Sequence, residues 1–482
     1  MKPSLALDRR RAGVLLHPTS LPSGKLDADA YRFVDYLVAT GISVWQMLPL
    51  GPTHADRSPY HCLSVRALNP DLIGLERLVD VGCIRPEQAS GARSAWLPAA
   101  ISWMQAPEQR VERDAFEEFC RSRADWLDDY ALYQVLRSQH HGQPWWEWPE
   151  ALREREPAAL AAVRPLLAVQ LEQIRLEQYL VHRDMERLRV YARERGVLLF
   201  GDMSIFVAHD SAEVWAHREY FKLDATGHPQ VVAGVPPDYF SATGQRWGNP
   251  LYSWARLQQD GFSWWLQRFA TDLARFDLIR IDHFRGFEGC WEIPASEPTA
   301  IHGRWEKTPG NALFDVLSAT FEKLPLVAED LGIITPEVTA LRERYGFPGM
   351  LVLQFAFEGG TENPYLPHQH TQNAVVYTGT HDNDTTLSWY LGASEPVREA
   401  MNAYFNVRDE MPWLLVRAAM QSVARLAVIP MQDLLSLGPG HRMNTPGQQA
   451  GNWTWRFAWD DLTAKDADRI RTLVEVYGRR QV

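Results

Sequence analysis

Eight short apolar runs, most of them rich in β-branched residues or leucine, alternate with longer segments of helical periodicity. The runs span residues 13–16, 44–48, 197–200, 278–281, 326–328, 350–355, 374–377 and 426–429. Runs of this length are typical of strands buried on both faces of a parallel sheet. Eight strands that alternate with helices predict an α/β protein built as a closed (β/α)8 TIM barrel. An open, doubly wound sheet is the alternative.

The chain is much longer than a bare barrel requires. It has 482 residues, whereas about 250 residues are enough for the eight strands and helices. We therefore predict one barrel domain over residues 1–482 that carries helical insertions. The largest falls between the second and third strands, as a mostly helical subdomain at 62–191. Leucine, glutamate and arginine at helical spacing in residues 150–195 are typical of solvated amphipathic helices.

Charge, hydropathy and cysteine usage exclude several classes of protein. The net charge of −11 opposes binding to nucleic acid or to anionic lipid. No apolar run approaches the roughly 20 residues of a membrane span, and His17 and Pro18 break the apolar stretch that a signal peptide would need. The four cysteines are scattered without Cys-x-x-Cys spacing, which argues against a disulfide framework or a zinc site. We expect a cytoplasmic protein with reduced thiols.

Four of the apolar runs are followed by carboxylates, and this convergence is the strongest functional signal. Asp202, Asp282, Glu329 and Asp382 each stand at or just after the end of a run. The carboxyl ends of all barrel strands meet at one mouth, so these acids are expected to face a shared pocket. Any one of them alone could be a helix N-cap. Two carboxylates at one mouth suit cleavage of a glycosidic bond, which needs a proton donor and a nucleophile or an activated water.

The residue types suggest separate roles for these acids. Arg280 precedes Asp282 by two positions, so on a strand both side chains project to the same face, and the guanidinium is expected to keep the carboxylate ionised as a nucleophile. The alternative is a structural ion pair. Crowding by Asp282 and Asp382 is expected to raise the pKa of Glu329, as a general acid requires. Asp382 would grip sugar hydroxyls with His381 as a donor, unless His381 is a packed turn residue.

Eight blocks of sequence occur in the order found in one enzyme family. They are residues 58–60, 201–207, 234–250, 279–286, 328–332, 377–385, 442–447 and 451–456. In these blocks the chain resembles the amylomaltases, glycoside hydrolase family 77 of the α-amylase superfamily. The resemblance covers nearly the whole chain. It implies Asp282 as the nucleophile, Glu329 as the acid/base and Asp382 as the stabiliser of the transition state.

The resemblance also implies a set of substrate-binding residues and no cofactor or metal. Tyr60 is expected to stack on the sugar at the cleavage site, and the residues implied to support that site or lie near it are Asp202, Arg280, His381, Asn452 and Trp453. Residues 234–250 resemble a lid loop whose substrate-facing side chains are Tyr239, Phe240, Gln245 and Trp247. Without the resemblance, 234–250 reads only as a long functional loop.

The implied activity is that of a 4-alpha-glucanotransferase, which moves α-1,4-glucan segments from a donor to glucose or a maltooligosaccharide by retaining double displacement. Two rivals are an α-amylase-like hydrolase, which would use the same acids with water as acceptor, and a catalytically dead glucan-binding barrel. His61, Ser204 and Arg246 depart from the family's usual residues. These departures bear on chain-length preference and lid behaviour. The sequence predicts no oligomeric state.

Overall fold

The computed structural model describes residues 7–237, 241–405, 410–448 and 450–480, and these contain twelve β-strands. The strands are β1 (Arg11–Leu15), β2 (Val44–Gln46), β3 (Leu198–Ser204), β4 (Val231–Val235), β5 (Gln245–Pro250), β6 (Leu278–Asp282), β7 (Gly289–Pro294), β8 (Arg304–Lys307), β9 (Leu326–Ala328), β10 (Gly349–Val352), β11 (Ala374–Tyr377) and β12 (Leu426–Pro430). Each of the eight predicted runs overlaps one of these strands. In the run at 350–355 the strand ends at Val352, and a turn of 3-10 helix continues to Phe355.

Eight of these strands form one parallel barrel. Their order is β10-β11-β12-β1-β2-β3-β6-β9, with every neighbouring pair parallel. Around the barrel the eight strands follow one another in chain order, and β9 and β10, at the two ends of this order, also lie next to each other. The backbone N–H of Ala328 in β9 donates to the carbonyl of Pro348, just before β10, at 2.8 Å. The predicted (β/α)8 barrel is therefore confirmed, and the open sheet is excluded.

Both faces of the barrel strands are buried. Side chains that point inward, including Leu15, Val44, Phe200 and Leu278, form the core of the barrel. The alternate positions on the same strands pack outward against the helices. Burial on both faces explains why the strands read as continuous apolar runs rather than as an alternating pattern.

Nineteen α-helices lie within the described residues. They are α1 (Ala28–Thr40), α2 (Leu75–Asp80), α3 (Pro86–Ala89), α4 (Arg93–Met104), α5 (Arg110–Ser122), α6 (Ala124–Gln139), α7 (Glu150–Arg153), α8 (Pro157–Leu166), α9 (Ala168–Glu194), α10 (Ala212–Ala216), α11 (Trp254–Gln259), α12 (Ser263–Arg275), α13 (Gly310–Thr320), α14 (Pro336–Arg344), α15 (Thr386–Gly392), α16 (Glu395–Phe405), α17 (Trp413–Gln421), α18 (Met431–Leu434) and α19 (Ala464–Val476). Eight of them, α2 to α9, fall between β2 and β3, which confirms where the largest insertion lies. The boundaries proposed for it, 62–191, stay a prediction, and position 191 falls inside the continuous helix α9.

The other four strands form a small antiparallel sheet in the order β5-β4-β7-β8. The two ends of the predicted lid, 234–250, belong to this sheet, because Val235 pairs with Gln245 and Gly234 with Arg246. An ideal Cβ on Gly234 would lie 2.2 Å from the Gln245 carbonyl oxygen, so only glycine allows this approach. The segment is thus a hairpin at its base rather than a loop throughout. Tyr239 and Phe240 lie outside the described residues.

The described part of the chain has no membrane-spanning helix, disulfide or cluster of metal ligands. Among the described residues, no helix combines the length and the apolar character needed to cross a membrane. The four cysteines are unpaired; Cys62, Cys83 and Cys290 are buried and Cys120 is half-buried. Within the same residues, no three histidine, cysteine or acidic side chains cluster as ligands for a metal ion.

Candidate active site

Four neighbouring or nearby strands deliver the predicted acids to the carboxyl end of the barrel. Asp202 lies in β3, and Asp282 is the last residue of β6. Glu329 directly follows β9, and Asp382 follows β11 by five positions. Ile281 pairs with Ala328 across β6 and β9, so Asp282 and Glu329 come directly after paired positions. Neighbouring strands are about 4.8 Å apart, which sets these two carboxyl groups side by side.

Arg280 links three of the predicted site residues. Its Nη1 donates to Asp202 Oδ2 at 2.6 Å and to the Tyr60 hydroxyl at 3.3 Å. Its Nη2 donates to Asp282 Oδ1 at 2.8 Å. The Tyr60 hydroxyl in turn donates to Asp202 Oδ2 at 2.7 Å. The Asp202 side chain is 0% exposed and that of Asp282 is 30% exposed. A buried acid therefore anchors the guanidinium that orients the accessible one.

The electrostatics of Asp282 differ from the expectation drawn from the sequence. Arg280 lowers the pKa of Asp282, as expected. Burial outweighs it, with like charges on Asp202, Glu329 and Asp382 adding to burial, and the net effect raises the pKa of Asp282 to about 8. Sequence reasoning counted the adjacent guanidinium but not the desolvation of the barrel mouth. Because Asp282 and Glu329 interact, their titrations are coupled.

Glu329 is held by the backbone. Its Oε2 accepts the N–H of His283 at 2.7 Å, and its Oε1 accepts the N–H of Leu331 at 3.0 Å. Burial raises the pKa of Glu329 more than Arg280 and these two N–H groups lower it. The direction matches the prediction, but the main cause is burial rather than crowding by Asp282 and Asp382.

His283 owes its role to an unusual backbone conformation. Its φ is 52°, in the left-handed region that residues with a side chain rarely adopt. This turn follows Asp282 immediately and aims the His283 N–H at Glu329. Strain of this kind persists where the surroundings fix it, often at functional sites. His283 was not among the residues predicted for the site, although its position directly after Asp282 was a usable signal.

A loop far along the chain holds Asp382. Asn444 Nδ2 donates to Asp382 Oδ1 at 2.6 Å, and Arg442 Nη2 donates to the Asp382 carbonyl at 2.7 Å. His381 Nε2 lies 3.3 Å from the other carboxylate oxygen. The Asp382 side chain is 50% exposed, so it is the most accessible of the four acids for a ligand. Arg442 and Asn444 were absent from the predicted site residues, although a matching sequence block contains both.

Three rings form an aromatic wall beside the acids. Tyr60 and His381 stack, with ring centroids 5.2 Å apart and planes at 18°. Trp453 lies 6.2 Å from Tyr60 and 6.0 Å from His381. A further ring, that of His17 after β1, is buried and was not predicted; burial and His381 lower its pKa to about 3. The structure thus brings Tyr60, His381 and Trp453 together, as predicted.

Asn452 supports the aromatic wall instead of facing the pocket. Its Oδ1 accepts the Thr445 N–H at 2.9 Å, and its Nδ2 donates to the Gln448 carbonyl at 2.9 Å. The adjacent Trp453 has a φ of 62°, and its N–H donates to the Met443 carbonyl at 2.8 Å. Asn452 therefore shapes the loop that carries Asn444 and Trp453.

Of the two predicted lid side chains that the structure describes, Trp247 reaches the ring of His283, the residue after Asp282. The Trp247 ring lies 4.8 Å from the His283 ring, at 89° to it, and 6.2 Å from Phe206. Trp247 is 38% exposed. Gln245 Oε1 accepts the Trp247 Nε1–H at 3.1 Å, which orients the indole. Gln245 therefore positions Trp247.

Residues next to the predicted acids have structural roles. Asp330 Oδ1 accepts the Met350 N–H at 2.8 Å, and Oδ2 lies 3.1 Å from Arg342, so this side chain points away from Glu329. The N-cap of helix α15 is Thr385, whose hydroxyl accepts the Ser388 N–H.

The chain is similar to known proteins over nearly its whole length. The model of glycoside hydrolase family 77, described as 4-alpha-glucanotransferase, matches residues 15–463. A 4-alpha-glucanotransferase of Thermus thermophilus is 48% identical over 98% of this chain and 99% of its own length. One from Synechocystis is 45% identical over the same shares. The structure of amylomaltase from Streptococcus agalactiae in complex with acarbose superposes with a TM-score of 0.95 at 32% identity, covering 98% of this chain and 100% of that one. These similarities confirm the resemblance of the sequence motifs, and the chain belongs to the 4-alpha-glucanotransferases of glycoside hydrolase family 77.

Proposed function

We propose that this chain transfers α-1,4-glucan segments by double displacement, with Asp282 as nucleophile and Glu329 as general acid and base. The observation that carries the proposal is the pairing of the two carboxyl groups at neighbouring strand ends. His283 directly follows Asp282 in a left-handed turn, and its own backbone N–H binds Glu329. Retaining enzymes need such a short separation, because the nucleophile attacks directly and leaves no room for a water.

In the first step Glu329 donates its proton to the glycosidic oxygen while an Asp282 oxygen attacks the anomeric carbon. The bond to the leaving sugar breaks, and a glycosyl ester of Asp282 forms. In the reactive form of the pair the negative charge lies on Asp282, where Arg280 Nη2 is 2.8 Å from Oδ1, and the proton lies on Glu329.

In the second step an acceptor sugar replaces the leaving sugar. Its 4-hydroxyl attacks the anomeric carbon, Glu329 takes the hydroxyl proton, and Asp282 leaves as a carboxylate. Two inversions at one carbon retain the α configuration. The steps move only protons and a glycosyl group, so no cofactor takes part.

The remaining residues hold the sugar at the cleavage site. Asp382, half-exposed and oriented by Asn444, accepts hydrogen bonds from ring hydroxyls, and His381 supplies a donor. The Tyr60 ring, fixed through its hydroxyl to Asp202, stacks on the apolar face of the sugar. Carboxylates that bind hydroxyls strengthen these contacts as positive charge develops on the ring.

Transfer, rather than hydrolysis, requires that a sugar outcompetes water for the glycosyl enzyme. Water is present at about 55 M, so the acceptor must be bound and oriented, an advantage that can be very large. Trp247 and Trp453 line the approach to the acids, and we propose that they bind the acceptor together with the lid at 234–250. The proposed donors are α-1,4-glucans and the acceptors are glucose or maltooligosaccharides, in the cytoplasm.

The deciding experiment separates this proposal from a hydrolase. Maltotriose alone should give glucose and a ladder of longer oligosaccharides, with almost no net gain in reducing ends, because transfer conserves the number of glycosidic bonds. Chromatography of the products and a reducing-end assay measure both quantities. Reducing ends that rise with each bond broken would establish the hydrolase instead, and unchanged maltotriose would indicate a barrel that only binds glucans.

A further inference from the structure

The small antiparallel sheet presents a tryptophan to solvent. Trp291 of β7 pairs with Trp305 of β8, so both indoles project from the same face of the sheet. The adjacent acids, Glu292 and Glu306, project from the opposite face, where Lys222 forms an ion pair with both. Trp305 is 42% exposed. The ion pairs thus fix the sheet from behind and leave the tryptophan face accessible.

Trp305 is held in one orientation. The Arg285 guanidinium carbon lies 3.7 Å from the centroid of the Trp305 ring and covers one face. The Trp291 ring meets Trp305 at a centroid distance of 5.2 Å and an angle of 64°. Trp291 is itself fixed by donation from Nε1 to the Ala300 carbonyl at 2.9 Å. The exposed part of Trp305 is therefore a rigid aromatic surface.

Arg285 connects this surface to the candidate active site. It follows Asp282 by three residues, and its Nη1 donates to the carbonyl of Ile333, four residues after Glu329. Arg285 is only 5% exposed, whereas Ile333 is 50% exposed. Arg285 therefore joins Trp305 and Ile333 to the segments that follow the two central acids.

The chemistry of this surface suits a neutral sugar chain. Sugar rings carry an apolar C–H face that stacks on indole, and a rigid aromatic anchor loses little conformational entropy when it binds. A net charge of −11 opposes anionic partners. We propose that Trp305, backed by Arg285, is a remote subsite that binds the distal part of a long α-1,4-glucan. This inference rests on the proposed function and adds a length preference to it.

The test compares a short and a long donor. Trp305→Ala should lower kcat/KM on short-chain amylose by about 3- to 10-fold, mainly through KM, since a stacked aromatic contact contributes roughly that much. It should leave the initial rate of maltotriose disproportionation unchanged, because in this proposal only donors longer than three glucose units reach Trp305. Trp305→Phe keeps a ring over Arg285 and should retain most of the activity on amylose.

Tyr404→Ala is the matched control, as it removes another exposed aromatic side chain, 37% accessible, and should alter neither donor. Equal losses on maltotriose and amylose with Trp305→Ala would show that Trp305 only supports the fold. Unchanged kinetics on both donors, or a changed oligomeric state alone, would also overturn the subsite. Failure of the proposed function is distinguishable, because the unmutated protein would then not disproportionate maltotriose.

Discussion

At the scale of single residues, the side-chain contacts assign different duties to the two central acids. Asp282 receives a guanidinium and Glu329 receives two backbone N–H groups. Arginine stays charged at all relevant pH values, so it favours the carboxylate form of Asp282, whereas burial favours the protonated form. The form that reacts in the proposed mechanism carries the carboxylate at Asp282 and the proton at Glu329.

Glu329→Gln tests this division of labour. The variant should lose at least about 100-fold in turnover of maltooligosaccharides, because no proton reaches the leaving oxygen. A maltosyl donor with a good leaving group needs no proton and should still form the ester, which accumulates. Intact-mass spectrometry should detect the added mass. Asp282→Asn, treated alike, should show none; an adduct on that variant would disprove the nucleophile assignment.

Asp282 should also make the stability of the fold depend on pH. Its pKa is raised to about 8 in the folded protein, against about 4 in an unfolded chain. Between these values the folded state binds a proton that the unfolded state releases, so stability falls as pH rises through this window. Asp282→Asn removes that penalty. It should therefore stabilise the protein more at pH 8 than at pH 4, by up to about 5 kcal/mol for a shift of about four pKa units.

Thermal unfolding of both proteins at the two pH values measures the difference. A gain in Tm that is the same at pH 4 and pH 8 would mean that the Asp282 carboxyl titrates alike in the folded and unfolded states.

At the scale of secondary-structure elements, the sequence predicts what local patterns encode. The barrel strands are buried on both faces, and their apolar runs were recognisable without partners. The acids were recognisable because they follow those runs. Strand β5, Gln245–Pro250, has no alternation of apolar and polar residues, so no local pattern predicted the hairpin. The contact between Asn444 and Asp382 spans 62 residues, and only the closed barrel brings its two sides together.

Trp247 in strand β5 allows a test of whether the glycosyl enzyme reacts with a sugar or with water. Trp247→Ala should lower transfer more than hydrolysis, because loss of the indole beside His283 admits water to the glycosyl enzyme. The ratio of reducing ends to transferred segments should rise several-fold. Arg246→Ala is the control from the same strand, since its Nη2 donates to the Ala295 carbonyl at the surface. Equal ratios in both variants would remove Trp247 from acceptor binding.

The loop that carries Asn444 should help to stabilise the transition state, because it orients Asp382. Asn444→Ala removes the side chain that orients Asp382 at 2.6 Å. We expect kcat to fall about 10- to 100-fold with a small change in KM, since hydroxyl contacts made by Asp382 strengthen in the transition state. Asn444→Asp should be worse, because it sets two carboxylates against each other. A rise in KM with an unchanged kcat would mean that Asp382 acts only in ground-state binding.

At the scale of the whole molecule, the two ends of the chain are joined through one buried side chain. Arg479 follows the last helix, α19, and is 0% exposed. Its guanidinium donates to the carbonyl of Arg11 in β1 at 2.8 Å and to that of Ser422, before β12, at 2.8 Å. Further bonds reach Met420 at 2.8 Å and Ala424 at 3.0 Å. The first and last strands of the barrel are neighbours, so this residue secures their junction.

Arg479→Ala should therefore destabilise the entire barrel while leaving its chemistry intact. Removing the guanidinium leaves several buried carbonyl groups without donors, at about 1–3 kcal/mol for each group that water cannot reach. We expect a fall in Tm of several degrees, measured by thermal unfolding, and an unchanged kcat on maltotriose at low temperature, because Arg479 lies at the amino-terminal end of β1, opposite the acids. Arg479→Lys should recover only part of the loss, since an ammonium has three donors where the guanidinium has five. If Arg479→Ala unfolds at the same temperature as the unmutated protein, the closure of the barrel does not depend on this junction.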